Sequence, residues 1–226
     1  MGQGFWRVFW IFFGNLWDLA KLNMLFCLCA LPFAASFLTG FFGIYTGFMY
    51  ILAIIAAFPI GGALAAHVFC VTKMLREEPG YVWHDFKRKF LENVKQAAAP
   101  GIFCVVFVCV QIFMPVTAAG VIFLLLFLLA VPYVFLQIAY IDLPISKIIK
   151  NGVMLSLMNA PKSLIGVLLG GLIWIAFVLY LPLSLIAIPF FLFIGFSFSW
   201  LLCLCWVWPP VNKQFKIEEA IQKSLD

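Results

Sequence analysis

Chemistry in this 226-residue chain would have to come from two histidines, seven cysteines, nine carboxylates and a few amides inside apolar runs. His67 and Cys70 share a helix face, which makes half of a four-ligand zinc site, and no second pair matches them. Cys27-Leu28-Cys29 and Cys203-Leu204-Cys205 have ligand-like spacing on paper, but helical residues two apart point to different faces. Apolar packing is the expected role of these thiols. His84, Asp85 and Glu92 carry acid–base groups, yet nothing around them in sequence implies a pocket. There is no nucleophile–base pair, phosphate loop or carboxylate dyad. The expectation is therefore a non-enzymatic protein with no cofactor and no metal.

The elements that would position these groups are membrane helices. The chain is 66% hydrophobic and 10% charged, against about 45–50% and about 25% in soluble domains. Its net charge of +5 sits in a few short segments. That excludes a basic nucleic-acid face and fits an anionic inner leaflet. Three stretches carry no charge: Leu22–Thr72, Gln96–Ile141 and Ser163–Asn212, of 51, 46 and 50 residues. One span needs about 20 apolar residues, so each stretch holds two spans and a turn. The breaks are expected at Thr39–Gly43, Pro115–Gly120 and Pro182–Pro189, giving spans near 22–38, 44–66, 98–115, 120–140, 163–181 and 190–208.

A hairpin returns the chain to the side it left. All 14 lysines and arginines then lie on one face, which is cytoplasmic by the positive-inside rule. The predicted fold is an all-α polytopic bundle. It forms one membrane domain over 1–226, with transmembrane hairpins at 22–72, 96–141 and 163–212. Cytoplasmic helical connections occupy 73–95 and 142–162, a tail occupies 213–226, and both termini are cytoplasmic. The aromatic segment 3–20 is too short between Arg7 and Asp18 to span, and its tryptophans suit the interface. No signal-peptide cleavage site follows it.

Amphipathic helices are expected at Trp83 to Gln96 and Pro144 to Leu157. Each could join spans along the membrane surface or dock a partner. The hairpins recur loosely, as a parallel repeat rather than the inverted repeat common in transporters. Within the spans there is no lysine, arginine, aspartate or glutamate, so proton or ion coupling lacks its usual groups. Gln111 and Gln137 are the notable polar residues of the middle spans. They are read either as interhelical hydrogen-bond groups or as lining for a sugar path. Gly43-x-x-x-Gly47 and Gly166-x-x-x-Gly170 permit close helix approach. Pro32, Pro59 and Pro132 are expected to kink their helices. Pro59 with Gly61-Gly62 predicts a broken second span whose backbone must be covered by protein or water.

Leu22-Asn23-Met24-Leu25, Leu31-Pro32, and Pro59-Ile60-Gly61-Gly62-Ala63-Leu64-Ala65-Ala66 with Lys73 resemble the first half of the YesL-like membrane proteins of Gram-positive bacteria. Arg76 to Gln96 is similar to that family's most distinctive segment: an acidic-glycine turn, Asp85-Phe86, Phe90 a turn later, then Asn93 and Gln96. The likeness covers about residues 15–100; the later spans match only in hydropathy.

The resemblance implies a bacterial plasma-membrane protein of a domain with no assigned activity, often encoded beside carbohydrate ABC importers and glycoside hydrolases. The expected role is an accessory or regulatory subunit of such an importer. The contact surface would be Asp85, Phe86, Arg88, Phe90, Asn93 and Gln96. The alternative is a stand-alone transporter or channel for a small neutral solute such as a sugar. For that reading Asn23, Pro59, Gly61, Gly62, His67, Gln111 and Gln137 are pathway residues, where otherwise they pack helices. Expected partners are the lipid bilayer and importer subunits; substrate and oligomeric state are unassigned.

Overall fold

A computed structural model describes residues 5–43, 45–113, 117–180 and 190–223. All regular structure among them is helical. In chain order the helices are α1 (Phe5–Gly14), α2 (Leu16–Phe41), α3 (Thr46–Ala56), α4 (Phe58–Leu75), α5 (Val82–Phe113), α6 (Ala118–Tyr140), α7 (Ile145–Met158), α8 (Ala160–Tyr180), α9 (Phe196–Phe215) and α10 (Ile217–Lys223). A π-helical turn, Phe191–Gly195, leads into α9.

Five helical segments are long and apolar enough to cross a bilayer: Leu16–Phe41, Gly47–Leu75, Val82–Gln111, Ala118–Tyr140 and Leu192–Phe215. A sixth arises if α7 and the first part of α8, bent by 96° at their junction, count as one broken span. The chain is a multi-pass membrane protein. Of its expected outer turns, the first two residues of Pro115–Gly120 and the whole of Pro182–Pro189 lie outside the described residues.

The centre of the bundle is α4. Every residue from Ile60 to Leu75 except Lys73 is buried, as expected of a helix that is apolar all round. Its small residues let neighbours approach. A Cβ on Gly61 would overlap the carbonyl of Ala97, one on Gly101 would overlap Gly61, and one on Gly62 would lie 2.9 Å from Cα of Val94. Thus α4 and α5 touch backbone to backbone. A second close seam joins α8 to α9. Cβ atoms on Gly166 and Gly170 would each stand 2.9 Å from the carbonyl oxygens of Cys203 and Ser199 respectively.

The other small-residue motif is not used in this way. Gly43 sits in a turn at φ +82°, and nothing lies within 4 Å of a Cβ on Gly43 or Gly47. The Gly43 backbone conformation is one that glycine adopts without steric cost.

Two expectations about element limits change. The first helix stops at Gly14, and Asp18 and Lys21 lie inside α2, paired at 3.0 Å. An acid in the first turn suits the helix N-terminus, so these charges open the span instead of closing an interfacial helix at residue 20. The segment Trp83 to Gln96 is not a separate helix: α5 runs unbroken through it, and through Pro100, to Phe113. Pro32 and Pro132 lie inside α2 and α6, which remain helical on both sides of them. Near Pro59 the helix is interrupted for one residue, Ala57, between α3 and α4, within a segment that still runs as one span; Pro59 takes an early position in α4 that needs no amide donor.

Candidate functional site

The C-terminal end of α4 and the N-terminal end of α5 hold a dense polar cluster. Lys73 and Asp85 pair at 2.7 Å, both largely withdrawn from solvent. Gly80 makes this possible, since a Cβ there would come within 2.5 Å of both charged groups. Arg88 approaches Asp85 at 3.6 Å. In the intervening turn Glu77 adopts φ +59°, and the Glu78 amide donates to the Lys73 carbonyl at 3.2 Å. Lys89 extends over the ring of Phe69, 5.0 Å from its centroid, and pairs with Glu92 at 2.8 Å.

Five of the six residues expected to form a contact surface are turned inward here. Asp85, Phe86 and Asn93 are buried. Phe90 packs against the core. Gln96 is half-buried and donates to the Leu143 carbonyl at 2.6 Å. Asn93 donates to the Lys89 carbonyl at 2.9 Å. Only Arg88 is exposed. The correction has a geometric cause: Asp85, Phe86, Asn93 and Ala97 share the face that packs on α4. The opposite face exposes Trp83, His84, Lys87, Arg88, Leu91, Glu92 and Lys95.

A second cluster closes the C-terminal ends of α4, α6 and α9. The Arg76 guanidinium lies 5.2 Å from the ring centroids of both Tyr140 and Trp208. It also pairs with Glu78 through two contacts, 2.9 and 3.0 Å. Cation–π contacts and the Glu78 carboxylate offset part of the cost of desolvating the guanidinium. Tyr140 shares a 2.6 Å hydrogen bond with Thr72, and the Trp208 indole donates to Glu218 at 3.2 Å. Sequence reading missed this cluster because its members come from four separate segments. The only local signal was an arginine at a helix end.

The polar residues within the spans are staples. The Asn23 amide donates to the Leu192 carbonyl and accepts from the Ser197 amide at 2.9 Å. Those two backbone groups are five residues apart, the spacing of the π-helical turn. A side chain from α2 therefore bridges the opened ladder ahead of α9. Beside it Phe26 stacks on Phe196 at 3.9 Å between centroids, and His67 meets both rings edge-on at 5.7 and 4.9 Å. His67 is fully buried, with no hydrogen-bond partner at either nitrogen.

Gln137, also fully buried, donates to the Tyr133 carbonyl at 3.2 Å. Gln111 lies beside Gly120, about 25 Å of helix rise from Gln137, so the two amides do not meet. Pro59 is half-buried, while Gly61 and Gly62 are buried against α5. Among the described residues no group of three or more metal-binding side chains is brought together.

Two apolar cavities flank the α5–α6 pair. One, of about 570 Å³, is closed by α7; the other, of about 460 Å³, is closed by α8 and α9. Phe127, Cys104 and Val131 belong to both. None of Asn23, His67, Gln111 and Gln137 lines either cavity. Compared with known proteins, the chain matches no family model, no curated protein and no solved structure.

Proposed function

We propose that the chain is a six-span plasma-membrane protein built of three hairpins with cytoplasmic termini, and that it serves as an accessory subunit of a carbohydrate ABC importer. The observation that carries this reading is the length and outer face of α5. Its 32 residues rise about 48 Å, against about 30 Å of hydrocarbon. The surplus is the charged segment up to Gln96, anchored to α4 by the Lys73–Asp85 pair and the glycine seam. A rigid stalk therefore reaches the inner surface with Trp83 and Leu91 exposed among Lys87, Arg88 and Lys95. An exposed aromatic anchor ringed by charge is the composition of a protein-docking surface. The contact surface is thus this outer face.

Antiparallel contacts support the hairpins. Gly166 meets Cys203 while Gly170 meets Ser199, so α8 and α9 run antiparallel as the third hairpin requires; Gly61 against Ala97 and Lys73 against Asp85 make α4 and α5, the adjoining legs of the first two hairpins, antiparallel as well. The transporter reading has less support, because Asn23 and Gln137 are engaged in helix-to-helix or local bonds and neither borders a cavity described above.

Affinity purification from membranes in mild detergent tests the proposal. Importer subunits should copurify with the wild-type chain and be lost with Trp83→Ser/Leu91→Ser. Recovery of the chain alone, while the importer remains intact, overturns it. Sugar flux into liposomes holding this chain by itself would replace it with the transporter reading.

A further inference from the structure

We infer that a cavity at the inner ends of α4 and α9 is a binding site for a zwitterion that couples an oxyanion to a primary ammonium, the chemistry of an ethanolamine phospholipid headgroup. The cavity is about 680 Å³ and is bordered by Arg76, Glu78, Trp208, Asn212, Lys213 and Glu218.

Its charges are balanced, two cations against two carboxylates, and not all are satisfied internally. The Arg76 side chain is only 6% exposed. Nη2 donates to Glu78, whereas Nε, 2.9 Å from a Glu78 oxygen, and Nη1 are both buried without a hydrogen-bond partner. A buried charged donor left unpaired is an exception that calls for a bound group. Lys213 forms no ion pair among the described residues. Glu218 uses Oε1 for the Trp208 indole. Donors for an oxyanion and an acceptor for an ammonium therefore share one cavity wall.

The alternatives fit less well. A dianion would meet Glu78, Glu218 and the carbonyl-bearing C-terminal ends of α4 and α9. A simple cation would meet Arg76 and Lys213. A zwitterion satisfies both sets. The cavity stands where two long apolar helices end, the level of lipid headgroups. A quaternary ammonium cannot donate to Glu218, so an ethanolamine headgroup should be preferred to a choline one.

The test is lipid retention by the purified full-length chain, read by native mass spectrometry after equilibration with phosphatidylethanolamine, phosphatidylcholine or phosphatidylglycerol. Wild type should retain phosphatidylethanolamine about fivefold better than either competitor. Glu218→Gln keeps the acceptor for Trp208 but should remove the preference over phosphatidylglycerol. Lys213→Gln, at an exposed position, should weaken retention of phosphatidylethanolamine. Displacement of the lipid by soluble phosphoethanolamine would support the zwitterion site and identify the headgroup as sufficient. Equal retention of the three lipids by wild type, or an unchanged preference in both variants, overturns the inference.

Discussion

Asn23 shows how much one amide can organise inside a membrane. Its side chain engages a carbonyl and an amide of the π-helical turn that leads into α9, and so ties the first long helix to the last. Asn23→Ala would leave both backbone groups without that partner in a buried setting. Unsatisfied buried groups cost about 1–3 kcal/mol, although bonds between membrane helices average nearer 0.6. We expect a loss of about 1–2 kcal/mol, measured as lower thermal stability of the purified chain in detergent. Unchanged stability would mean that the turn satisfies itself.

The Lys73–Asp85 pair supports a second prediction at this scale. Removing one partner leaves the other charge in a largely desolvated place, which costs up to about 3–5 kcal/mol when burial is complete. Arg88 remains nearby in Lys73→Met, so Asp85→Asn should be the more damaging single change. The double variant Lys73→Met/Asp85→Asn should recover much of the loss. Additive losses in the double variant would refute coupling between the two.

Among elements, the α4–α5 seam is the most constrained. Gly61 faces a backbone carbonyl and Gly101 faces Gly61 itself, so an added side chain has no flexible neighbour to displace. Gly61→Val should cost more than the usual penalty of about 1–3 kcal/mol for overpacking and lower the yield of folded protein. Gly47→Ala, where nothing lies nearby, should be neutral. Size-exclusion profiles of the two variants separate these outcomes.

The same scale shows where sequence reading was strong and where it was not. The turn after Phe41 and the break before Pro59 were visible in Gly43 and Pro59, because glycine and proline act through local backbone geometry. The continuity of α5 was not visible. An amphipathic pattern giving way to an apolar one looks like two helices. Nothing in the pattern shows that the inward face of the first continues, through Ala97 and Gly101, as the seam of the second.

For the whole molecule, orientation is the property to test. Cysteine introduced at Tyr45, an exposed residue of the turn between α2 and α3, should react with an impermeant thiol reagent from outside the cell. Cysteine at Glu92 should react only after the membrane is opened. Labelling of both from the same side would overturn the hairpin arrangement. The native thiols at Cys70 and Cys203 are buried; replacing the five partly exposed ones by serine or alanine lowers the background.

The side chains that could do chemistry divide between those legible along the chain and those defined by packing. Composition and the placement of charge alone determined that the chain is helical and crosses a membrane several times, because the cost of burying charge and bare backbone in hydrocarbon leaves few alternatives. They also marked His67, Gln111 and Gln137 as unusual. Only the tertiary structure decided that Asn23 is a staple, that Asp85, Phe86 and Asn93 face α4, and that Arg76, Trp208 and Glu218 share a cavity wall. Those facts depend on which helix faces meet. Facing is set by close packing among residues far apart in the chain, and hydropathy, which is summed along the chain, carries no record of it.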